Sequence, residues 1–130
     1  MKKNIFLLIL SIFLLLSCSQ PSYTKKIDFL PVTLISKPDT VKVGQPVTIS
    51  LSAVATNGCW SNLRQYMRQP SENHILFMAK GDFDSTGDCT DNLVQKDSVF
   101  NFTLPKAGKY YIQLNESPIT VTIDSLQIIN

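Results

Sequence analysis

Few side chains in this chain of 130 residues could do chemistry. The thiols are Cys18, Cys59 and Cys89. His74 is the one imidazole, and it opens an apolar run that continues through Ile75, Leu76, Phe77, Met78 and Ala79. Acids gather in Asp82-Phe83-Asp84-Ser85-Thr86-Gly87-Asp88, with Asp91 and Asp97 beyond. A reactive thiol needs a neighbour that favours its thiolate, and a general base needs a second group to orient it. A single His at the head of an apolar run offers little of either. Zinc would ask for CxxC or paired His, which the chain lacks. There is no Gly-rich phosphate loop and no Gly-x-Ser-x-Gly. Asp82, Asp84 and Asp88 have part of the spacing that calcium loops use, but Thr86 stands at the third ligand position. Leu93 stands where a bidentate Glu would close an EF-hand. The acidic stretch therefore reads as a solvated turn, with a non-EF calcium site as the alternative.

Cys18 is set apart by what precedes it. Lys2 and Lys3 are followed by Ile5 to Leu16, apolar except for Ser11, and the chain turns polar at Ser19-Gln20-Pro21. A charged start, a short apolar stretch and a small residue before the cut describe a secretory signal. A spanning helix would need roughly 20 apolar residues. Leu15-Leu16-Ser17-Cys18 resembles the lipobox of bacterial lipoproteins, with Leu16 bulkier than the Ala or Ser usual at its place. The resemblance implies that residues 1–17 are a lipoprotein signal peptide and that Cys18 is lipidated and becomes the first residue of the mature chain. Several acyl chains would hold stably where one binds only marginally. By the same resemblance, Ser19 is not the Asp that retains such proteins at the inner membrane, so the outer membrane is the expected address.

With Cys18 given to lipid, Cys59 and Cys89 remain as an even pair, and an exported protein can keep a disulfide between them. Charge says little about partners. The precursor has 12 basic and 10 acidic side chains, and loss of Lys2 and Lys3 leaves 10 of each. A nucleic-acid partner is not expected, because such proteins are basic and cluster their cations. Arg64 and Arg68 do lie in an acid-free stretch, whereas Asp82 to Asp97 is acidic. The expected result is local charge balance.

Residues 18–30 have the composition of a flexible tether, and residues 31–130 have the size of one domain. The domain pattern has period two. Val47, Ile49, Leu51 and Ala53 alternate with polar neighbours. So do Phe100, Phe102 and Leu104; Tyr110, Ile112 and Leu114; and Ile119, Val121 and Ile123. Half-buried strands produce this alternation. Val32–Ile35 and Val41–Val43 read as short opening strands, and His74–Lys80 as a more buried one. Leu63, Tyr66 and Met67 have helical spacing, so Ser61–Arg68 could instead be a helical turn. Turn signals at Lys37-Pro38-Asp39, Gly44-Gln45-Pro46, Asn57-Gly58, Gln69-Pro70-Ser71, Pro105 to Gly108 and Asn115 to Pro118 separate seven or eight strands. That spacing predicts an all-β sandwich.

Two segments resemble bacterial immunoglobulin-like domains. Val41-Lys42-Val43-Gly44-Gln45-Pro46-Val47-Thr48-Ile49 is similar to their opening V-x-V-G-x-x-V-x-I. Phe100 to Tyr110 is similar to their corner between the fifth and sixth strands, with Tyr two residues after the Gly. The resemblance implies a single immunoglobulin-like sandwich of antiparallel strands, with Tyr110 as the corner tyrosine. It also implies a departure. Leu51 and Ile112 stand where antibody domains place their inter-sheet disulfide, so Cys59–Cys89 would staple loops at one end, with Trp60 packed beside it.

The expectation is a non-catalytic module, free of cofactor and metal. It would be held at the membrane through its lipid and would meet another envelope protein or a glycan through end loops or a sheet edge. The alternative is a metal-dependent enzyme or inhibitor using Asp82 to Asp91.

Overall fold

Alternation of apolar and polar residues becomes strand almost throughout. The computed structural model describes residues 23–115 and 120–130, and none of these is helical. The described strands are β1 (Thr24–Leu30), β2 (Val32–Ser36), β3 (Thr40–Lys42), β4 (Pro46–Ala55), β5 (Trp60–Ser71), β6 (His74–Ser85), β7 (Val94–Thr103), β8 (Gly108–Asn115) and β9 (Val121–Ile129). The expected signal peptide, Cys18 and Ile119 lie outside the described residues, as does most of the turn expected at Asn115 to Pro118.

The strands form two sheets. One has three strands in the order β2-β4-β7. The other has six, in the order β1-β6-β8-β9-β3, with β5 on the opposite edge of β6. Strand β6 organises the larger sheet. Along one edge it pairs with β5 from His74 to Phe83. Its other edge is shared: Ala79–Ser85 pair with β1, and His74–Phe77 pair with β8. Two pairings are parallel, β6 with β8 and β3 with β9, where antiparallel strands alone were expected. Parallel neighbours require long crossovers, and here the chain passes through the other sheet between them.

The inward side chains close one core between the sheets. Val47, Ile49, Leu51 and Ala53 of β4 meet Ile75 and Phe77 of β6, Ile112 and Leu114 of β8, and Leu126 and Ile128 of β9, all buried. Burying a side chain of this size contributes about 1.5–3 kcal/mol, which sets the register of each strand, because a one-residue slip would turn its apolar set outward. Gly81 is required by the packing: a Cβ there would lie 2.8 Å from Leu30 Cδ1 and 3.0 Å from Trp60 Cε3. Gly44, with φ of 75°, makes the turn from β3 into β4, a conformation that costs other residues more.

Three expectations are corrected. Thr24–Leu30 belongs to a strand, not to the tether. Its residues are mostly exposed, so burial left no pattern to read; pairing with β6 orders it. Ser61–Arg68 lies within β5, interrupted by a bulge at Asn62, where φ is 49°, and has no helical turn. In β9 the inward residues are Leu126 and Ile128, whereas Val121 and Ile123 are 44% and 60% exposed. The alternation there was real but marked the outer face.

Tyr110 is buried, and its hydroxyl donates to the Lys106 carbonyl at 3.2 Å. Tyr111 faces the other way, its ring 5.2 Å from that of His74. Tyr110→Phe should therefore lower stability by about 0.5–1.5 kcal/mol, the net worth of one hydrogen bond. Tyr111→Phe should change it by under about 0.5 kcal/mol. Urea unfolding of both variants checks this, and equal losses would contradict the register of β8.

Candidate functional site

Several of the residues singled out for chemistry have partners within the fold. Cys59 and Cys89 form a disulfide with Cα atoms 5.3 Å apart. It joins the residue before β5 to the loop after β6, so it fixes the open end of the β5–β6 hairpin. Around it, Gly58 N–H donates to the Thr90 carbonyl at 2.8 Å and Asp84 N–H to the Cys59 carbonyl at 3.0 Å. Trp60 packs edge-on against Phe83, with ring centroids 5.1 Å apart, and the Lys26 ammonium lies 5.9 Å from the Trp60 ring. Trp60 is thus held near the staple by β6 and β1.

The acidic stretch is not a loop at its start. Asp82 and Asp84 are strand residues of β6, pointing to the outer face of the six-stranded sheet. Asp82 is claimed by β5: Arg64 Nη2 reaches its Oδ1 at 2.6 Å, and Asn62 Nδ2 donates to its Oδ2 at 2.9 Å. The Arg64 guanidinium, and after it the Asn62 amide, hold the Asp82 carboxyl below its ordinary pKa. Asp84 accepts from the Tyr23 hydroxyl at 3.2 Å. Among the described residues no group of three or more His, Cys, Asp or Glu side chains is arranged to hold a metal ion. The expected charge balance takes the form of the Arg64–Asp82 pair, set by the β5–β6 register. Among the described residues Arg68 forms no ion pair.

What the sequence did not single out is the outer face of the larger sheet. The β5–β6 and β1–β6 registers bring Tyr66 opposite Met78, and Phe29 opposite Lys80. With Arg68 these residues line a shallow hollow of about 320 Å³. The Lys80 ammonium sits 4.6 Å from the centre of the Phe29 ring, a cation–π contact. One signal was present: His74–Ala79 lacks alternation, and a strand apolar on both faces has something to cover on each. Phe29 was hidden by its assignment to the tether, and Tyr66 by its helical spacing.

A second open feature is the edge of the smaller sheet. Strand β7 pairs with β4 along all ten of its residues, and among the described residues no strand pairs with its other side. Gln65 Nε2 donates to the Lys96 carbonyl at 2.6 Å, tying the start of β7 to β5. No family model, curated protein or solved structure matches this chain.

The bridge closes a separation of 30 residues, worth about 3–4 kcal/mol in the chain-entropy description. In the native protein Cys59 and Cys89 should resist alkylation until reductant is added. Reduction should then lower unfolding stability by about that amount, measured by denaturant titration with and without reductant. Free labelling of both thiols in the unreduced protein would contradict the pairing.

Proposed function

We propose that this chain is a bacterial lipoprotein whose folded part is a non-catalytic, immunoglobulin-like binding module. Its lipid on Cys18 holds it at a membrane of the cell envelope, with the outer membrane the address implied by Ser19. There the module meets another envelope protein or a glycan. The immunoglobulin-like reading is supported by β4 pairing with β7 in one sheet and β8 with β9 in the other. The Tyr110 corner supports it as well. The middle hairpin departs from the antibody arrangement. There the strand lying on the sixth strand runs antiparallel to it, whereas β6 runs parallel to β8.

The observation that carries the binding reading is the free edge of β7. A ten-residue strand with one unpaired side is a template for another chain, and strand addition is a common mode of peptide recognition. The Leu104 carbonyl accepts from Gly44 N–H on the β4 side. By strand alternation Phe100 and Phe102 turn their backbone groups the same way, which leaves those of Val99 and Asn101 toward the free edge. The non-catalytic reading is supported by the engagement of Asp82 with Arg64 and Asn62 and of the two domain thiols with each other.

Val99→Pro removes an N–H from the free edge without removing one from the β4 ladder. In cells, a photoreactive benzoyl-phenylalanine in place of Gln95 should give one discrete crosslinked adduct. Adding Val99→Pro should abolish that adduct while the purified variant keeps its cooperative unfolding. An adduct that survives Val99→Pro, or the absence of any adduct in the parent, would count against recognition through this edge.

A further inference from the structure

The two outer faces of the sandwich differ in chemistry. The outer face of the three-stranded sheet presents mostly hydroxyl, amide and carboxylate groups, among them Thr48, Ser50, Gln95, Asp97 and Asn101, with Val99 as an apolar exception at 60% exposed. Thr48 and Asn101 hydrogen bond to each other there at 2.7 Å. The outer face of the six-stranded sheet is apolar and basic. Ile27 is 67% exposed, Ile123 60%, Phe29 40% and Tyr66 39%. Phe29, Tyr66 and Met78 lie together around one hollow, with Ile27 next to Phe29 along β1, and exposed apolar surface gathered in this way marks a contact site.

The charge on that face is one-sided once its internal pair is set aside. Arg64 and Asp82 neutralise each other, and Asp84 is the further acid, held by the Tyr23 hydroxyl. Against it stand Lys25, Arg68 and Lys80. Lys80 lies over Phe29, and Arg68 lines the same hollow beside Tyr66. Aromatic rings and aliphatic stems with ammonium and guanidinium heads above them form the side-chain mixture that seats at a lipid–water interface.

The covalent chain delivers this face to such an interface. Five residues lie between Cys18 and Thr24, the first residue of β1, and the six steps from one to the other cover at most about 20 Å when fully extended. Strand β1 then carries Lys25, Ile27 and Phe29 onto this same outer face, in register with Asp84, Asp82 and Lys80 of β6. A lipid on Cys18 would hold the edge of the face within reach of the headgroups.

From these observations we infer that the outer face of the six-stranded sheet docks on the anionic phospholipid surface to which the protein is tethered. Phe29, Tyr66 and Met78 settle into the headgroup layer, and Lys25, Arg68 and Lys80 lie among the phosphates. Docking in this orientation leaves the β7 edge of the other sheet free for a partner. The inference rests on the lipid-anchor part of the proposed function.

Lysine footprinting of the lipidated full chain tests it. Protein purified from its membranes is placed in phosphatidylcholine vesicles with and without phosphatidylglycerol, and acetylation rates are read by mass spectrometry. Lys25 and Lys80 should react several-fold more slowly in the anionic vesicles, and the difference should vanish at about 1 M salt, where charges are screened within about 3 Å. Lys96 and Lys106, on other surfaces, should react equally in both. The double variant Arg68→Glu, Lys80→Glu should enter vesicles as before yet lose the protection of Lys25. Equal rates for Lys25 and Lys80 in the two vesicles overturn the docking. So does protection by soluble polyglutamate or polygalacturonate where anionic vesicles give none, because the occupant would then be a soluble polyanion. Wild-type protein that takes up no labelled palmitate and stays outside the vesicles overturns the anchor, a distinct result that removes the docking with it.

Discussion

Strand β6 is the constraint from which the rest of the molecule follows. Both of its edges are used over nearly its whole length, by β5 on one side and by β1 and β8 in succession on the other. Its inward residues Ile75, Phe77 and Ala79 are buried in the core, and Gly81 admits Leu30 and Trp60 where a side chain would collide with both. Its outward residues Leu76, Met78 and Lys80 form the spine of the exposed face. A strand fixed by three neighbours and a core cannot slip, so the composition of its outer side is fixed as firmly as that of its inner side.

The disulfide acts on the same element. Cys59 and Cys89 flank the open end of the β5–β6 hairpin. With the second hairpin strand, β6, lying parallel on β8, the first strand, β5, becomes a sheet edge. Such an edge is open to fraying and to pairing with another chain. The bridge, the Arg64–Asp82 pair and the Gln65 contact with Lys96 all hold β5 in place. The disulfide and the Arg64–Asp82 pair thus both act to secure this edge.

Much of this was legible in the sequence, and the remainder was lost for physical reasons. The strands of β4, β7 and β8 were plain because each buries one face and wets the other, the condition that produces period two. The inward placing of Tyr110 was legible because it alternates with Tyr111 at the head of an apolar strand. Strand β1 was not, because a sheet edge with few buried residues leaves no hydrophobic trace. Strand β9 was misread because Val121 and Ile123 are apolar on the exposed side, and alternation alone does not say which face is inward. The exposed face of the larger sheet escaped for the same reason. Its members come from β1, β5, β6 and β9, and only the strand order brings them together.

The central claim is that one face of the sandwich is specialised for the membrane and the opposite sheet for a partner. Neutron reflectometry of the lipidated chain on a supported bilayer containing anionic phospholipid measures the consequence directly. A sandwich lying on its larger sheet makes a protein layer about 20–25 Å thick, two sheets roughly 10 Å apart with side chains on both sides, and it sits against the headgroups with no intervening water. A layer near 40 Å, about the length of a twelve-residue strand at 3.3 Å per residue, set off from the headgroups by a hydrated gap, would contradict it.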